Sequence, residues 1–208
     1  MSHFTVAVIT KDGKEETCEK LLAPFQENNM GDCPQKYLKF IEDEDCDIDE
    51  ETGKKGYWEN PNRKWDWYQI GGRWSGLLKL KTGETVNVAQ IKDLDFSMDK
   101  KVYDEAIRFW EVIVDGLPKK DGEEFFSFWK PEYYIEQYKT KEKYATDQAS
   151  FKTFAMLMPD GKWFEKGEMG WWGIDDATAE STENYRKSFS EVLETMKEHY
   201  ITVVDCHI

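Results

Sequence analysis

The side chains best suited to proton transfer lie at the two ends of the chain. His3 precedes the first β-branched run, His207 ends the last one, and Asp205 stands two positions before His207. Imidazole exchanges protons near neutral pH, and a neighbouring carboxylate orients it. We therefore predict His3, Asp205 and His207 as catalytic residues for general acid–base chemistry. Two alternatives stay open: histidines at frayed strand ends without chemistry, and a metal site completed by Asp32 or Glu27.

The segment HFT at residues 3–5 resembles one half of the His-x-Thr signature of the two-histidine phosphoesterases. That family needs two such motifs, and the second is missing here. His199 is followed by YIT, which is one residue too long, and His207 is followed by the last residue, Ile208. The likeness covers three residues and points to hydrolysis of a phosphodiester by a histidine pair.

A second candidate site is the aromatic stretch from Tyr57 to Leu80, which combines tryptophan, glycine and arginine. Glycine weakens a strand unless a bulge or a close backbone approach requires it. Rings beside an arginine and bare backbone suit a flat, charged ligand such as a nucleotide. The alternative is a glycine-kinked hairpin whose tryptophans fill the core. The predicted ligand-binding residues of this stretch are Trp65, Asp66, Trp67, Gly71, Gly72, Arg73 and Trp74.

Two shorter segments carry similar chemistry. KGEMGWWG, residues 166–173, again combines glycine, tryptophan and a cation, and is predicted to form the opposite wall of the same pocket. The loop QENNMGDCP, residues 26–34, presents polar side chains that either hydrogen-bond a ligand or serve only as turn residues. The predicted contacts are Lys166, Trp171 and Trp172 in the first segment and Glu27, Asn28 and Asn29 in the second.

The most acidic segment is EDEDCDIDEE, residues 42–51. Its alternating aspartates resemble a calcium loop. However, Ile48 stands where the glycine belongs, and Lys54 stands where the bidentate glutamate belongs. We predict a solvated, mobile acidic loop over residues 42–56 and no metal site.

Composition excludes several classes of protein. The formal net charge of −14 over 208 residues disfavours a basic face for duplex nucleic acid. No apolar run approaches the length of a membrane helix, and no signal peptide is recognised. The four scattered cysteines predict free thiols in a cytoplasmic protein. P-loop, Rossmann, nucleophile-elbow and zincin motifs are absent, so no cofactor is predicted.

The elements that must hold these residues follow from hydrophobic periodicity. Strands are predicted at 4–10 and 200–208, a hairpin at 151–165, and helices at 15–25, 101–114, 131–148 and 185–199. This order predicts a single α+β domain over residues 1–208. Its antiparallel sheet carries helices on one face, in an elaborated ferredoxin-like (split βαβ) fold with a large insertion. The first and last strands are then antiparallel neighbours, which brings His3 beside His207 with Asp205 on the same face.

Five segments together resemble a family of uncharacterised phage and bacterial proteins: MSHFTV at the start, LAPFQENNMGDCP, KWDWYQIGGRW, KGEMGWWG and the terminal VVDCHI. The resemblance runs from the first strand to the last and so covers most of the chain. It implies a cytoplasmic accessory protein of phage origin. From the same resemblance we expect a role in evading host defence, by countering or modulating host nucleotide signalling.

Three functions are compatible with these residues. The favoured one is a small-molecule-binding protein that captures a nucleotide-like ligand, with Arg73 gripping a phosphate and aromatic rings stacking on a base. The second is a phosphodiesterase that uses the histidine pair on such a ligand. The third is a protein-binding module whose acidic surface complements a basic partner. The sequence predicts no oligomeric state.

Overall fold

A computed structural model describes residues 2–170 and 173–208. Its strands are β1 His3–Thr10, β2 Lys39–Glu42, β3 Gly56–Glu59, β4 Trp67–Ile70, β5 Leu78–Lys79, β6 Thr85–Val86, β7 Val88–Gln90, β8 Ala155–Leu157, β9 Trp163–Glu165 and β10 Tyr200–His207. Its helices are α1 Glu15–Leu22, α2 Lys100–Ile113, α3 Pro131–Tyr138, α4 Lys141–Ala149 and α5 Ala179–Thr195.

The central sheet is built around the first and last strands, as predicted. Its strand order is β4-β10-β1-β8-β9, and β7 also pairs with β10. β1 and β10 run antiparallel in a register that opposes His3 to His207 and Thr10 to Tyr200. Both strands alternate β-branched residues that fit a pleated sheet covered on both sides. The predicted pairing of the chain ends is therefore confirmed.

Side chains of β1 alternate between two separate parts of the core. Phe4, Val6 and Val8 pack with Cys18 and Leu22 of α1. The intervening residues face the other side of the sheet. That side is covered by α5. The apolar cluster there contains Ala7, Ile9, Ile201 and Val203 of the sheet and Tyr185, Phe189 and Val192 of α5. Each fully buried aliphatic or aromatic side chain contributes about 1.5–3 kcal/mol, so both faces hold the sheet together.

The coarse fold prediction is confirmed, and its finer form differs from the structure. The chain has mixed α and β elements with a mostly antiparallel sheet. However, helices cover both faces of the sheet rather than one, because β1 and β10 bury apolar side chains on each of its faces. β8 also lies directly beside β1 and parallel to it. A split βαβ unit would place an antiparallel strand between parallel ones.

Helices α2, α3 and α4 form an excursion between β7 and β8 with an aromatic core of its own. The predicted helix over residues 131–148 is in fact two helices. Lys139 adopts a left-handed φ of 66°, and the Thr140 hydroxyl accepts the backbone N–H of Lys143 to cap α4. A lysine at positive φ gives no sequence signal of a break, since glycine or asparagine is usual there.

α5 begins at Ala179 rather than at the predicted Tyr185. Thr178 and Ser181 form a reciprocal capping box, which satisfies two backbone N–H groups at the start of the helix. The first turns are polar and show no hydrophobic periodicity, so the capping residues alone mark the start of the helix.

The acidic segment connects β2 to β3. Asp49 accepts hydrogen bonds from Thr52 N at 2.8 Å and from Trp58 Nε1 at 3.2 Å, and Asp43 N donates to Lys55 O at 3.1 Å. The segment is largely exposed, as predicted for a solvated loop. Its mobility stays a prediction.

The four cysteines are free thiols, as predicted. Burial raises the pKa of Cys18 to about 12, so this thiol stays protonated and behaves as a small apolar side chain. Within the described residues, no helix combines the length and the apolar character that crossing a membrane requires.

Candidate functional site

Two histidine–aspartate pairs lie side by side at one end of the central sheet. His3 Nδ1 lies 2.8 Å from Asp205 Oδ1, and His207 Nδ1 lies 2.6 Å from Asp66 Oδ1. The centroids of the two imidazole rings are 4.9 Å apart, with an angle of 72° between the ring planes. The arrangement brings together the three predicted catalytic residues and adds Asp66 to them.

Strand register explains why the two rings meet. Ser2 and Ile208 exchange both of their backbone hydrogen bonds, at 2.9 and 3.0 Å. The next pair along the ladder, His3 and His207, is therefore a non-hydrogen-bonded pair, in which opposing side chains lie closest. Asp205 is two residues before His207 and so projects from the same face, diagonally opposite His3.

Asp205 is held from two sides. Its side chain is only 2% exposed; Oδ1 contacts His3, and Oδ2 accepts the backbone N–H of Arg73 at 2.9 Å. A buried carboxylate needs such partners, because desolvation without hydrogen bonds is costly. It is thus fixed in position and in turn fixes the His3 ring.

Gly72 permits this contact. Its φ is 50°, and a Cβ at this position would lie 2.5 Å from Asp205 Oδ2. Gly72 begins a 3-10 turn, Gly72–Trp74. This turn brings the Arg73 amide into hydrogen-bond contact with the carboxylate of Asp205. Contact of the glycine backbone with a ligand phosphate stays a prediction.

Asp66 orients the second imidazole from the neighbouring strand. It directly precedes β4, whose Trp67 is opposite His207 in the ladder. Its own N–H donates to His207 O at 2.9 Å, and its Oδ1 accepts Trp67 N at 2.7 Å. Asn29 Nδ2 lies 3.4 Å from Asp66 Oδ2. The predicted loop contact Asn29 and the aromatic stretch therefore meet at His207.

Trp67 covers the histidine pair. Its ring stacks on His207 with centroids 5.3 Å apart and 18° between planes, and meets His3 edge-on at 5.4 Å. The residue is nevertheless 43% exposed. One ring thus restricts both imidazoles and still presents surface to a ligand.

The outer nitrogens of both rings are available for proton transfer. Each Nδ1 faces a carboxylate, so in the neutral ring the proton belongs on Nδ1 and Nε2 is the acceptor. Within residues 2–170 and 173–208, neither Nε2 has a hydrogen-bond partner, and the side chains of His3 and His207 are 12% and 6% exposed. In that part of the chain both nitrogens are thus uncommitted to a protein group.

Other predicted ligand contacts have structural partners. Trp65 is buried in the core, and its Nε1 donates to Leu22 O at 3.2 Å. Gly71 turns the chain against Asn87 with a φ of 74°. Glu27 lies 3.7 Å from the Arg63 guanidinium. Asn28 donates to Trp58 O at 2.9 Å, and its Oδ1 is buried without a partner among the described residues. Trp171 and Trp172 lie outside the described residues.

A cavity of about 720 Å³ lies on the α5 side of the sheet. Two predicted ligand contacts, Trp74 and Lys166, line it. The histidines, Asp66 and Arg73 do not. Thr5 connects the two regions, because it lines the cavity and is opposite Asp205 in the sheet.

Sequence reasoning missed the role of Asp66 as the partner of His207. The signal is its position directly before a strand, but its use requires knowing that this strand pairs with β10. Within the described residues, no group of three or more histidine, cysteine, aspartate or glutamate side chains is arranged to hold a metal ion.

Comparison with protein-family models, with curated proteins and with solved structures returned no match for this chain.

Proposed function

We propose that the protein binds a nucleotide-like phosphodiester and hydrolyses it with His3 and His207. The observation that supports this proposal is the pair of imidazoles 4.9 Å apart, each held at Nδ1 by its own aspartate. Hydrolysis of a phosphodiester needs one group that takes a proton from water and one that gives a proton to the leaving oxygen. Two oriented imidazoles at this separation meet both needs.

The reaction then proceeds with the two rings in complementary protonation states. The neutral imidazole accepts a proton from water at Nε2 as the water oxygen bonds to phosphorus. The imidazolium donates its Nε2 proton to the ester oxygen as the phosphorus–oxygen bond breaks. The products are a phosphomonoester and an alcohol, and proton exchange with solvent restores both rings. The aspartates keep their positions and fix the ring orientations.

Two exposed side chains suit the rest of the ligand. The Trp67 ring offers a face or an edge for a base. The backbone N–H of Arg73 donates to Asp205, and the Arg73 side chain is exposed to solvent. A guanidinium grips a phosphate bidentately and is attracted to the charge that develops during transfer. A phage accessory protein acting on host nucleotide signals fits this ligand class and is part of the same proposal.

Capture without turnover is the second candidate function. It is favoured by the separate lining of the 720 Å³ cavity, which contains Trp74 and Lys166 but neither histidine. A ligand held wholly in that cavity would not reach Nε2 of either ring.

The test is turnover of a panel of cyclic and linear nucleotides, measured by separation of the products. We expect one or more phosphodiesters to be cleaved, with a bell-shaped dependence of kcat/KM on pH, because one ring must be neutral and the other protonated. Binding of a panel member with no cleavage at any pH would contradict hydrolysis and favour capture. Cleavage with a flat pH profile would contradict the histidine pair.

Arg73→Ala is expected to weaken nucleotide binding at least tenfold, since a charge-assisted hydrogen bond is worth about 1.5–3 kcal/mol. The melting temperature is expected to change little, because the side chain is exposed and pairs with no carboxylate of the described residues. Calorimetric titration and thermal unfolding measure the two effects. Lys81→Ala, another exposed cation, is the control. A large loss of stability with unchanged affinity would contradict a ligand role for Arg73.

A further inference from the structure

On one side of the 720 Å³ cavity, two cations contact the same carboxylate. Asp147, whose side chain is 7% exposed, binds both Lys152 Nζ at 2.7 Å and Arg186 Nη2 at 2.6 Å. Lys166 Nζ is separately paired with Asp175 at 2.7 Å. One buried carboxylate between two cations leaves one positive charge uncompensated at this wall.

Apart from the Lys166–Asp175 pair, the other charged groups of the lining are the exposed Lys143, Glu142 and Glu183. Glu142 and Glu183 are both exposed, and Glu183 lies 3.7 Å from the exposed ammonium of Lys187. Exposed pairs of this kind are screened by water and contribute little. The three charged groups in direct contact around the buried carboxylate are Lys152, Arg186 and Asp147, and their formal charges sum to +1.

Both cations retain hydrogen-bond donors. Lys152 uses one contact to Asp147 Oδ2 and one to Asp147 O at 2.8 Å, out of the three N–H bonds of an ammonium. The Arg186 guanidinium has five N–H donors. Among the described residues, its polar contact is with Asp147 Oδ1. The unused donors fit an anion such as a phosphate or a carboxylate.

Aromatic side chains form the other walls. The Arg186 guanidinium lies 5.7 Å from the centre of the Tyr138 ring, and Lys166 Nζ lies 5.1 Å from that of Phe154. Tyr185 and Phe189 of α5 stack at 5.8 Å, and Trp74, in the 3-10 turn after β4, packs against the same apolar cluster and lines the cavity. Flat apolar walls beside a cationic one suit a molecule with a ring and an anionic group. A volume of about 300–1,000 Å³ is usual for small-molecule sites.

We infer that this cavity binds an anionic, ring-bearing molecule of nucleotide size, with its anionic group at Lys152 and Arg186 and its ring on the aromatic walls. The inference rests on the proposed function: the cavity is the pocket that selects the part of the substrate away from the bond that is cut. The two regions adjoin at Thr5, which is opposite Asp205 and accepts Phe154 N at 3.0 Å.

The Lys152 ammonium is partly desolvated at the cavity wall. Desolvation lowers the pKa of this ammonium, and the nearby cations Arg186 and Lys166 lower it further, while Asp147 opposes them. Its side chain is nevertheless 43% exposed, so solvent moderates this effect. A bound phosphate would supply the missing negative charge.

The experiment uses nucleoside 5′-monophosphates as probes, because they contain the ring and the anion but no diester to cleave. Calorimetry compares the four common monophosphates with the corresponding uncharged nucleosides. We expect one or more monophosphates to bind at least tenfold more tightly than their nucleosides. Arg186→Gln is expected to abolish that difference, since the variant keeps Lys152 on Asp147 and so leaves the buried carboxylate with a partner.

Matched controls and a second variant complete the test. Lys187→Gln removes an adjacent cation of α5 that does not line the cavity, and we expect its affinity to equal that of the parent protein. Lys152→Met is the second cavity variant, with Lys162→Met on the β8–β9 turn as its control. Circular dichroism and melting temperature verify folding. Equal affinity for monophosphate and nucleoside, or unchanged affinity in the folded cavity variants, would overturn the inference.

The outcomes separate this inference from the proposed hydrolysis. Monophosphate binding that depends on Arg186, in a protein that cleaves no phosphodiester, would support the cavity and contradict hydrolysis. Cleavage whose KM and kcat are both unchanged by Arg186→Gln would support hydrolysis and contradict the cavity. If both proposals hold, Arg186→Gln raises KM and leaves kcat nearly unchanged, because it removes binding remote from the reacting bond.

Discussion

Turnover in the His207→Asn variant is expected to fall by a factor of about 10² to 10⁴, the range that one general acid or base contributes. Asparagine keeps a polar group beside Asp66 but cannot take or give a proton near neutral pH. Nucleotide affinity is expected to stay within a few fold, since Arg73 is unchanged and Trp67, which loses its stacking on His207, keeps its edge-on contact with His3.

The third histidine supplies the control. His199 lies before β10, and its backbone N–H bonds to Met196 O, away from the paired rings. His199→Asn is expected to retain full turnover with an unaltered pH profile. His3→Asn is expected to resemble His207→Asn and to remove the opposite limb of the bell-shaped profile. Equal activity of His199→Asn and His207→Asn variants, at any level, would contradict a catalytic histidine pair.

The meeting of the histidines was predictable because it depends on a local pattern and one topological step. Residues 4–10 and 201–207 alternate β-branched side chains, which identifies two central strands. Antiparallel pairing of the two then fixes the neighbours of every residue, including His3 and His207. Burial on both sides makes a slip of one residue costly, so this register is strongly specified.

The partners of the histidines depend on contacts between segments that no local pattern links. Asp66 meets His207 because β4 pairs with β10, which lies more than a hundred residues further along the chain. The Arg73 amide reaches Asp205 only through the left-handed turn at Gly72. The glycines and aromatic rings of the stretch from Tyr57 to Leu80 predict a close backbone approach to a ligand. In the structure, Gly72 approaches the carboxylate of Asp205 instead.

Sequence reasoning predicted two residues of the cavity lining, Trp74 and Lys166, as ligand contacts, but it did not predict the cationic wall. Asp147 lies in a polar helix, Lys152 in the segment after that helix, and Arg186 on α5. Each residue alone is typical of a solvated surface. Only the tertiary fold, which brings α4, the segment after it and α5 to one cavity, makes one carboxylate the shared partner of two cations.

Gly72→Ala is expected to cause the largest loss of stability among single methyl additions near the site, and to lower turnover at least tenfold. The added Cβ would lie 2.5 Å from the Cβ and Oδ2 of Asp205, a carboxylate that is almost fully buried and cannot retreat into solvent. Strain at positive φ costs about 1–2 kcal/mol, and overpacking adds about 1–3 kcal/mol. Displacement of Asp205 also releases the Arg73 amide and the His3 ring that the carboxylate orients.

Gly83→Ala separates the two causes. Gly83 also has a positive φ, 94°, but a Cβ there meets no atom within 4 Å among the described residues. It is therefore expected to cost only the backbone strain and to leave turnover unchanged. Urea unfolding gives the free energy of each variant, and the panel phosphodiester gives kcat and KM. An equal loss of stability in both variants would mean that Asp205 moves freely away from Gly72. Full turnover by a folded Gly72→Ala variant would mean that the position of Asp205 does not govern His3.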